Sequence, residues 1–221
     1  VSQLLKSKMP VHCLYVESGK DKLYGKMIQH ARANHIPVKI VNQLSKVFPG
    51  SRHQGIGAEF EYQWAKLSDL EVRSNSRFLM LDRVQDPHNF GACLRSAAAF
   101  GVDAVIIPTR GHAPMNEIVH QTSCGGSLIV PIVSVNNLSQ AMTEMKDRGV
   151  WFIATSEHAE STLGEDLQNR ALCLLMGSEG EGVKQKLFDA CDYQVKIHTS
   201  GTLATLNVSV ATAILLHTLQ V

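Results

Sequence analysis

Three polar stretches of the chain carry the residue types that chemistry would need. The first is Asp82-Arg83-Val84-Gln85-Asp86-Pro87-His88-Asn89-Phe90-Gly91-Ala92-Cys93-Leu94-Arg95. Pro87 fixes the backbone, Asn89 offers both a donor and an acceptor, and Gly91 lets another backbone come close. Arg95 follows six residues after Asn89, beside Ala97, Ala98 and Ala99, on the first turn or two of an expected helix. A cation among such small neighbours is expected either to point into a site or to pair with Asp82 or Asp86.

The second stretch is Met176-Gly177-Ser178-Glu179-Gly180-Glu181-Gly182. It is glycine-rich like a nucleotide loop, but its two carboxylates would repel a phosphate. A ligand with hydroxyls, an amino group or a positive sulfonium suits it better; the bland alternative is a turn in which Glu181 caps a helix over residues 183–191. The third is Ile197-His198-Thr199-Ser200-Gly201-Thr202-Leu203-Ala204-Thr205-Leu206-Asn207. Thr205 or Asn207 can cap the helix that follows. A cap needs one such residue, and the surplus of hydroxyls points to binding.

Other chemistries find no footing. The chain lacks G-x-G-x-x-G, the P-loop pattern, a G-x-S-x-G elbow and H-E-x-x-H. Its ten histidines form no pair at metal-ligand spacing with a carboxylate or cysteine, so no metal is expected.

Apolar runs and helical spacing place these stretches in a fold. Residues 11–16 and 36–41 read as strands flanking a helix that carries Leu23, Met27, Ile28 and Ala31, with a short helix over 43–47. This small α/β unit spans residues 1–58, and residues 59–77, polar and without period, read as a linker. From Phe78 strands and helices alternate: strands at 78–81, 104–107, 128–133, 151–154, 172–176 and 193–197, and a closing helix over 208–219. That order predicts a mostly parallel sheet with helices on both faces. Each polar stretch then follows a strand at its carboxyl end, where open α/β sheets bind ligands.

The chain has 221 residues, 44% of them apolar and 19% charged, as expected of a packed globular protein that needs no disulfide or metal staple. No apolar run is long enough for a membrane span, and nothing at the start resembles a signal peptide. The sequence begins without methionine, so a truncated N-terminus is expected. Cys13, Cys93, Cys124, Cys173 and Cys191 are scattered and read as buried thiols in a reducing, cytoplasmic setting. Charge is divided unevenly. Residues 1–58 hold nine Lys/Arg and two Asp/Glu, a net of +7, and the remainder carries −6. A basic unit on an acidic chain suggests a polyanionic partner.

Taken together, the three stretches, with Thr205-Leu206-Asn207-Val208-Ser209-Val210-Ala211 in the last, resemble the signatures of the SpoU/TrmH (SPOUT superfamily) RNA ribose 2′-O-methyltransferases. Residues 1–58 resemble the small ribosomal-protein-L30e-like RNA-binding domain of several members. His53-Gln54-Gly55 and Asp86-Pro87-His88-Asn89 are most similar to the branch that methylates a guanosine of large-subunit, 23S-type ribosomal RNA. The resemblance implies an α/β-knot catalytic domain over 78–221, its C-terminal segment threaded as a trefoil knot, and a homodimer with the site at its interface. It implies S-adenosylmethionine as cofactor, held by Thr155, Gly177, Glu179, Gly180, Ile197 and Leu206. Arg95, Asn89, Glu179, Thr205 and Asn207 match the catalytic set. Thr205 stands where the family usually has Ser, and His198-Thr199 where Pro-Met is common. The rival expectations are a transfer-RNA ribose methyltransferase, a base methyltransferase with the same knot, and a non-catalytic RNA-binding or ribosome-assembly factor.

Overall fold

The computed structural model describes residues 1–51, 53–155, 167, 169–178, 180–200 and 206–219. These divide into two compact units, residues 1–63 and 64–221.

In the first unit, strand β1 (Val11–Glu17) lies between β2 (Val38–Val41), which runs parallel to it, and β3 (Ile56–Phe60), which runs antiparallel. Helices α1 (Ser2–Lys6) and α2 (Gly25–Ala33) close one side. Leu5 of α1, Leu14 and Val16 of β1, and Ile28 and Ala31 of α2 form its buried core. Sequence reading missed α1 and the antiparallel β3, because one short apolar turn and the Ile56-Gly57-Ala58 run are too brief for a period to emerge.

The second unit is built on six strands, all parallel: β4 (Arg77–Leu81), β5 (Ala104–Pro108), β6 (Ile132–Val135), β7 (Val150–Thr155), β8 (Ala171–Met176) and β9 (Tyr193–Val195). Their order is β6-β5-β4-β8-β7-β9. Phe78, Met80, Ile106, Phe152, Cys173 and Leu175 pack against α5 (Leu138–Asp147) and α6 (Gln185–Asp189). Leu79, Leu81, Val105 and Leu174, alternate residues on three of those strands, are also buried, which is why these strands read as unbroken apolar runs. Helices α4 (Glu117–Thr122) and α7 (Val208–Thr218) each pack on α3 (Pro87–Ala99). Residues 65–72, though polar in sequence, lie on the core through Ala65, Leu67, Leu70 and Val72. The guanidinium of Arg148 donates to the carbonyls of Leu67 and Leu70.

Several boundaries differ from the sequence expectation. The helix α3 begins at Pro87, not after Gly91: Asp86 is its N-cap, accepting the His88 N–H at 2.9 Å, and proline is well suited to the first helical position. Asn89 is therefore in the first turn and Arg95 in the third. The run from 128 yields a strand only from Ile132, after Pro131, whose missing N–H cannot join a ladder. Of the five thiols, all free, Cys13, Cys93 and Cys173 are buried, whereas Cys191 is half-buried and Cys124 is exposed. Among the described residues no helix is long and apolar enough to cross a membrane.

Glycine is required where α3 meets α4. A Cβ on Gly91 would lie 2.7 Å from the Thr122 Cβ and 3.0 Å from the Val119 carbonyl. Gly91→Ala is expected to force the helices apart at a cost of about 1–3 kcal/mol, lowering the thermal midpoint by several degrees in calorimetry. Two histidines beside this contact are kept neutral. Burial lowers the pKa of His112, whose Nδ1 donates to the Ala113 carbonyl at 2.9 Å and whose ring meets Phe90 edge-on at 4.3 Å. Burial likewise lowers that of His120, bonded to the Ser127 hydroxyl. The unfolded chain takes up these protons first as pH falls below the ordinary histidine value of about 6.5, so stability is full above that value and declines below it. His112→Phe should make that decline shallower in denaturant titrations between pH 7 and 5; an unchanged slope would exclude His112 as a contributor.

Candidate active site

The parallel register sets the site. Leu81 pairs with Met176, Thr155 follows the Ala154–Leu175 pair, and Thr155 pairs with Val195. The carboxyl ends of β4, β8, β7 and β9 thus form one row, spaced about 4.8 Å apart. Chain direction across the sheet reverses between β4, whose successors run toward β6, and β8 on its other side. That is the switch point at which loops diverge and leave a crevice.

A cavity of about 310 Å³ opens there, lined by Arg83, Val84, Gln85, Asp86, Asn89, Ser178, Glu181 and Val208. Asp82, 1% exposed, forms its floor-side anchor. Its N–H donates to the Met176 carbonyl at 2.8 Å, and its carboxylate accepts the Lys184 N–H at 2.9 Å and the Arg83 Nε at 3.3 Å. A buried carboxylate must be paired in this way. Residues 177–184 are consequently held to β4 at both ends. Between them the chain doubles back: the Ser178 and Gly182 backbones exchange two hydrogen bonds of 3.1 and 3.0 Å. Gly177 is pressed so closely on this turn that an added Cβ would fall 1.9 Å from the Gly182 carbonyl carbon. Gly180 and Gly182 take positive φ, +88° and +66°, which glycine adopts without strain.

Arg83 leads out of the strand with φ +61° and ion-pairs with Asp82 and, across the cavity, with Glu181. Partial burial pulls its guanidinium down, but the bonds to Glu181 and Asp82 outweigh this and raise its pKa. Glu181 is therefore a partner of Arg83, and the helix α6 starts at Gln185 with no side-chain cap.

The third stretch reaches the same place. Asn207 caps α7 by accepting the Ser209 N–H at 2.9 Å, and its amide nitrogen donates to the Asn89 Oδ1 at 3.0 Å. One residue thus starts a helix and clamps a residue 118 positions earlier in the chain.

Of the residues expected from sequence, Asn89 and Asn207 are brought together. Gly177, Thr155 and the segment leading from Val195 to Ile197 follow one another along the strand-end row, with Gly180 in the adjacent turn and Leu206, exposed, next to Asn207. Arg95 is exposed, does not line the cavity, and is about 240° around α3 from Asn89. Among the described residues it pairs with neither Asp82 nor Asp86. Glu179 and Thr205 lie outside the described residues. Sequence reading passed over Arg83, Ser178 and Glu181 as cavity residues; the positive φ at Arg83 leaves no trace in sequence, whereas the two charges of Arg83 and Glu181 at facing strand ends were available as a signal.

A parallel sheet with a cleft at its switch point, lined by the turn after β8 and by Asn89, is the arrangement in which α/β enzymes bind their ligands. Residues 76–217 match the SpoU rRNA Methylase family, and residues 1–64 match the domain described as RNA 2′-O ribose methyltransferase substrate binding. The chain belongs to the SpoU rRNA methylase family. It is 37% identical over 204 residues to the 23S rRNA (guanosine-2′-O-)-methyltransferase RlmB of Escherichia coli (strain K12), covering 89% of this chain and 84% of that protein. It is 34% identical over 224 residues to the enzyme of that name from Bordetella pertussis, covering 98% and 91%. Its fold matches that of the SpoU methyltransferase AviRb from Streptomyces viridochromogenes, solved in complex with AdoMet, with a TM-score of 0.85 at 22% identity, covering 98% of this chain and 84% of that one.

Asn207 has separable duties. Asn207→Ser retains an N-cap but is too short to reach Asn89, so stability should stay within about 0.5 kcal/mol of the parent, while Asn207→Ala should lose about 1 kcal/mol. Thermal melts of the two variants check this; equal losses would mean that the Asn89 bond, not the cap, carries the stability.

Proposed function

We propose that this protein methylates the ribose 2′-OH of a guanosine in large-subunit, 23S-type ribosomal RNA, with S-adenosylmethionine as methyl donor. The observation that carries this reading is the convergence of three separate stretches on one strand-end row, joined by the 3.0 Å Asn89–Asn207 bond. Identity to the RlmB enzymes over most of the chain supports the ribosomal substrate.

The residues present suit the cofactor. Gly177 has no room for a side chain and presents bare backbone at the row. Thr155, Ile197 and Leu206, with Glu179 and Gly180, would hold the nucleoside and amino-acid parts. When bound, the cofactor supplies a methyl group activated on a positive sulfonium, which carboxylates nearby favour. The chain's own residues must then hold the attacking ribose oxygen about 3–3.5 Å from the methyl carbon, in line with the departing sulfur. Asn89 and Asn207 fix each other's amides and orient the ribose. Glu179 and Thr205 belong to the same polar set.

Arg95 meets the adjacent phosphate and stabilises the developing alkoxide. A permanently charged, planar guanidinium suits that role better than the role of base. Its position, apart from the cavity of its own chain, accords with a homodimer whose site lies at the interface. Exposed Val210 and Ile214 on α7 and exposed Ile118 on α4 offer apolar surface for such a contact. We assign residues 1–58, an L30e-like unit of net charge +7, to gripping RNA, residues 59–77 to the connection, and residues 78–221, as an α/β knot, to catalysis. Residues 201–205 of the C-terminal segment lie outside the described residues. Free thiols and a ribosomal substrate accord with the cytoplasm.

The test is methyl transfer from labelled S-adenosylmethionine to unmodified large-subunit ribosomal RNA and transfer RNA in parallel, with the labelled nucleoside identified by mass. The expected product is 2′-O-methylguanosine in the ribosomal RNA. Label only in transfer RNA would replace the substrate, and label in neither would overturn the reading. Arg95→Ala should cost about 10²–10³ in rate, as loss of a transition-state donor does elsewhere. Arg95→Lys should also be severely impaired, lacking the planar fork; near-full rate in that variant would remove Arg95 from the chemistry.

A further inference from the structure

We propose that Arg83 is a phosphate-binding residue of the cleft, held in readiness by Glu181 and passed to a phosphodiester when RNA binds; the inference rests on the RNA substrate proposed above. The geometry is unusual for a residue that only ties two loops together. Arg83 takes φ +61°, a conformation that a glycine would adopt without strain and that an L side chain is disfavoured in. Strained backbone of this kind persists where the side chain it delivers is used. What it delivers is a guanidinium lining the cavity alongside Asn89, Ser178 and Asp86.

The two ion pairs of Arg83 are unequal. Asp82 is 1% exposed, is fixed by the Lys184 N–H, and holds the Arg83 Nε at 3.3 Å. Glu181, which takes Nη1, is 73% exposed. Its carboxylate loses little by returning to water. Nη2 has no partner among the described residues. Once Glu181 is displaced, Asp82 still orients the group by Nε, and Nη1 and Nη2 present two parallel donors, the arrangement that accepts a phosphate in bidentate fashion. Asp86, which also lines the cavity, accepts the His88 N–H at the start of α3. The fork would therefore fix the register of the RNA backbone beside Asn89 and Asn207.

Arg83→Gly removes the cation and relieves the strained backbone together, and that relief offsets part of the cost of leaving buried Asp82 with only the Lys184 N–H; a thermal melt establishes that the variant is folded before its binding is read. Its affinity for unmodified large-subunit ribosomal RNA, read by filter binding, should fall roughly fivefold to tenfold at low salt. The slope of log affinity against log salt should shrink by about one phosphate contact. S-adenosylmethionine affinity, read by calorimetry, should not change. Glu181→Gln, which removes the competing carboxylate, should bind RNA as tightly as the parent or more tightly. Unchanged RNA affinity and salt slope in Arg83→Gly would overturn the proposal, as would weaker RNA binding in Glu181→Gln. A loss confined to S-adenosylmethionine binding would overturn it too, by assigning the guanidinium to the cofactor carboxylate. Because the binding readouts need no turnover, a wild-type protein that fails to methylate would sink the proposed activity and leave the Arg83 outcome legible by itself.

Discussion

A single buried carboxylate organises the catalytic cleft. Asp82 emerges from β4 into an apolar interior where an unpaired charge would be prohibitive. Its backbone N–H reaches the end of β8 and its side chain reaches Lys184, seven residues beyond Gly177. The segment from 177 to 184 is closed on itself because both of its ends are held by this one residue. From that closure follow the close approach of Gly177 to Gly182, the side of the cavity on which Ser178 and Glu181 stand, and the point from which α6 departs. Removing the carboxylate would free the loop at its far end and leave the Arg83 guanidinium without its buried support.

Much of this was legible in sequence, for physical reasons that differ by element. Strands such as β4 and β8 are buried on both sides, so Phe78-Leu79-Met80-Leu81 and Leu172-Cys173-Leu174-Leu175 announce themselves as unbroken apolar runs. Polar residues after such runs mark strand ends, and the stretches from Asp82 and from Gly177 stand out by that rule. The start of α3 was misplaced even though Asp86-Pro87 spells a capped helix start, because the functional residues there suggested a loop. Residues 65–72 show no period because they lie on the core as an irregular strap, tied down by the Arg148 guanidinium from a distance of about 80 residues in sequence. No local pattern encodes a contact of that range.

The cofactor side and the RNA side proposed for the site depend on different parts of the chain. Thr155, Gly177 and Ile197 are neighbours because of strand register, and a ligand lying along their row would meet backbone groups whose positions any sequence forming the same sheet would reproduce. The cavity facing the ribose is different. It depends on side chains with fixed partners, Asn89 on Asn207 and Arg83 on Asp82, so a change at any one of them alters the others.

That division also bears on charge. With residues 59–221 carrying −6, long-range attraction cannot bring a polyanion to the cleft, and residues 1–58, at +7, must supply the salt-dependent part of affinity. Such attraction is indifferent to which phosphate it holds. Selecting one ribose requires short-range groups that recognise geometry and are not felt at a distance. The proposed role of Arg83 meets both conditions: held between Asp82 and Glu181 the guanidinium adds nothing to non-specific attraction, and its Nη donors are freed together only where a phosphate is placed to displace the rim carboxylate. In the proposed scheme an acidic unit is thus compatible with RNA chemistry because the cation at its cleft is committed to carboxylates until the substrate is in register.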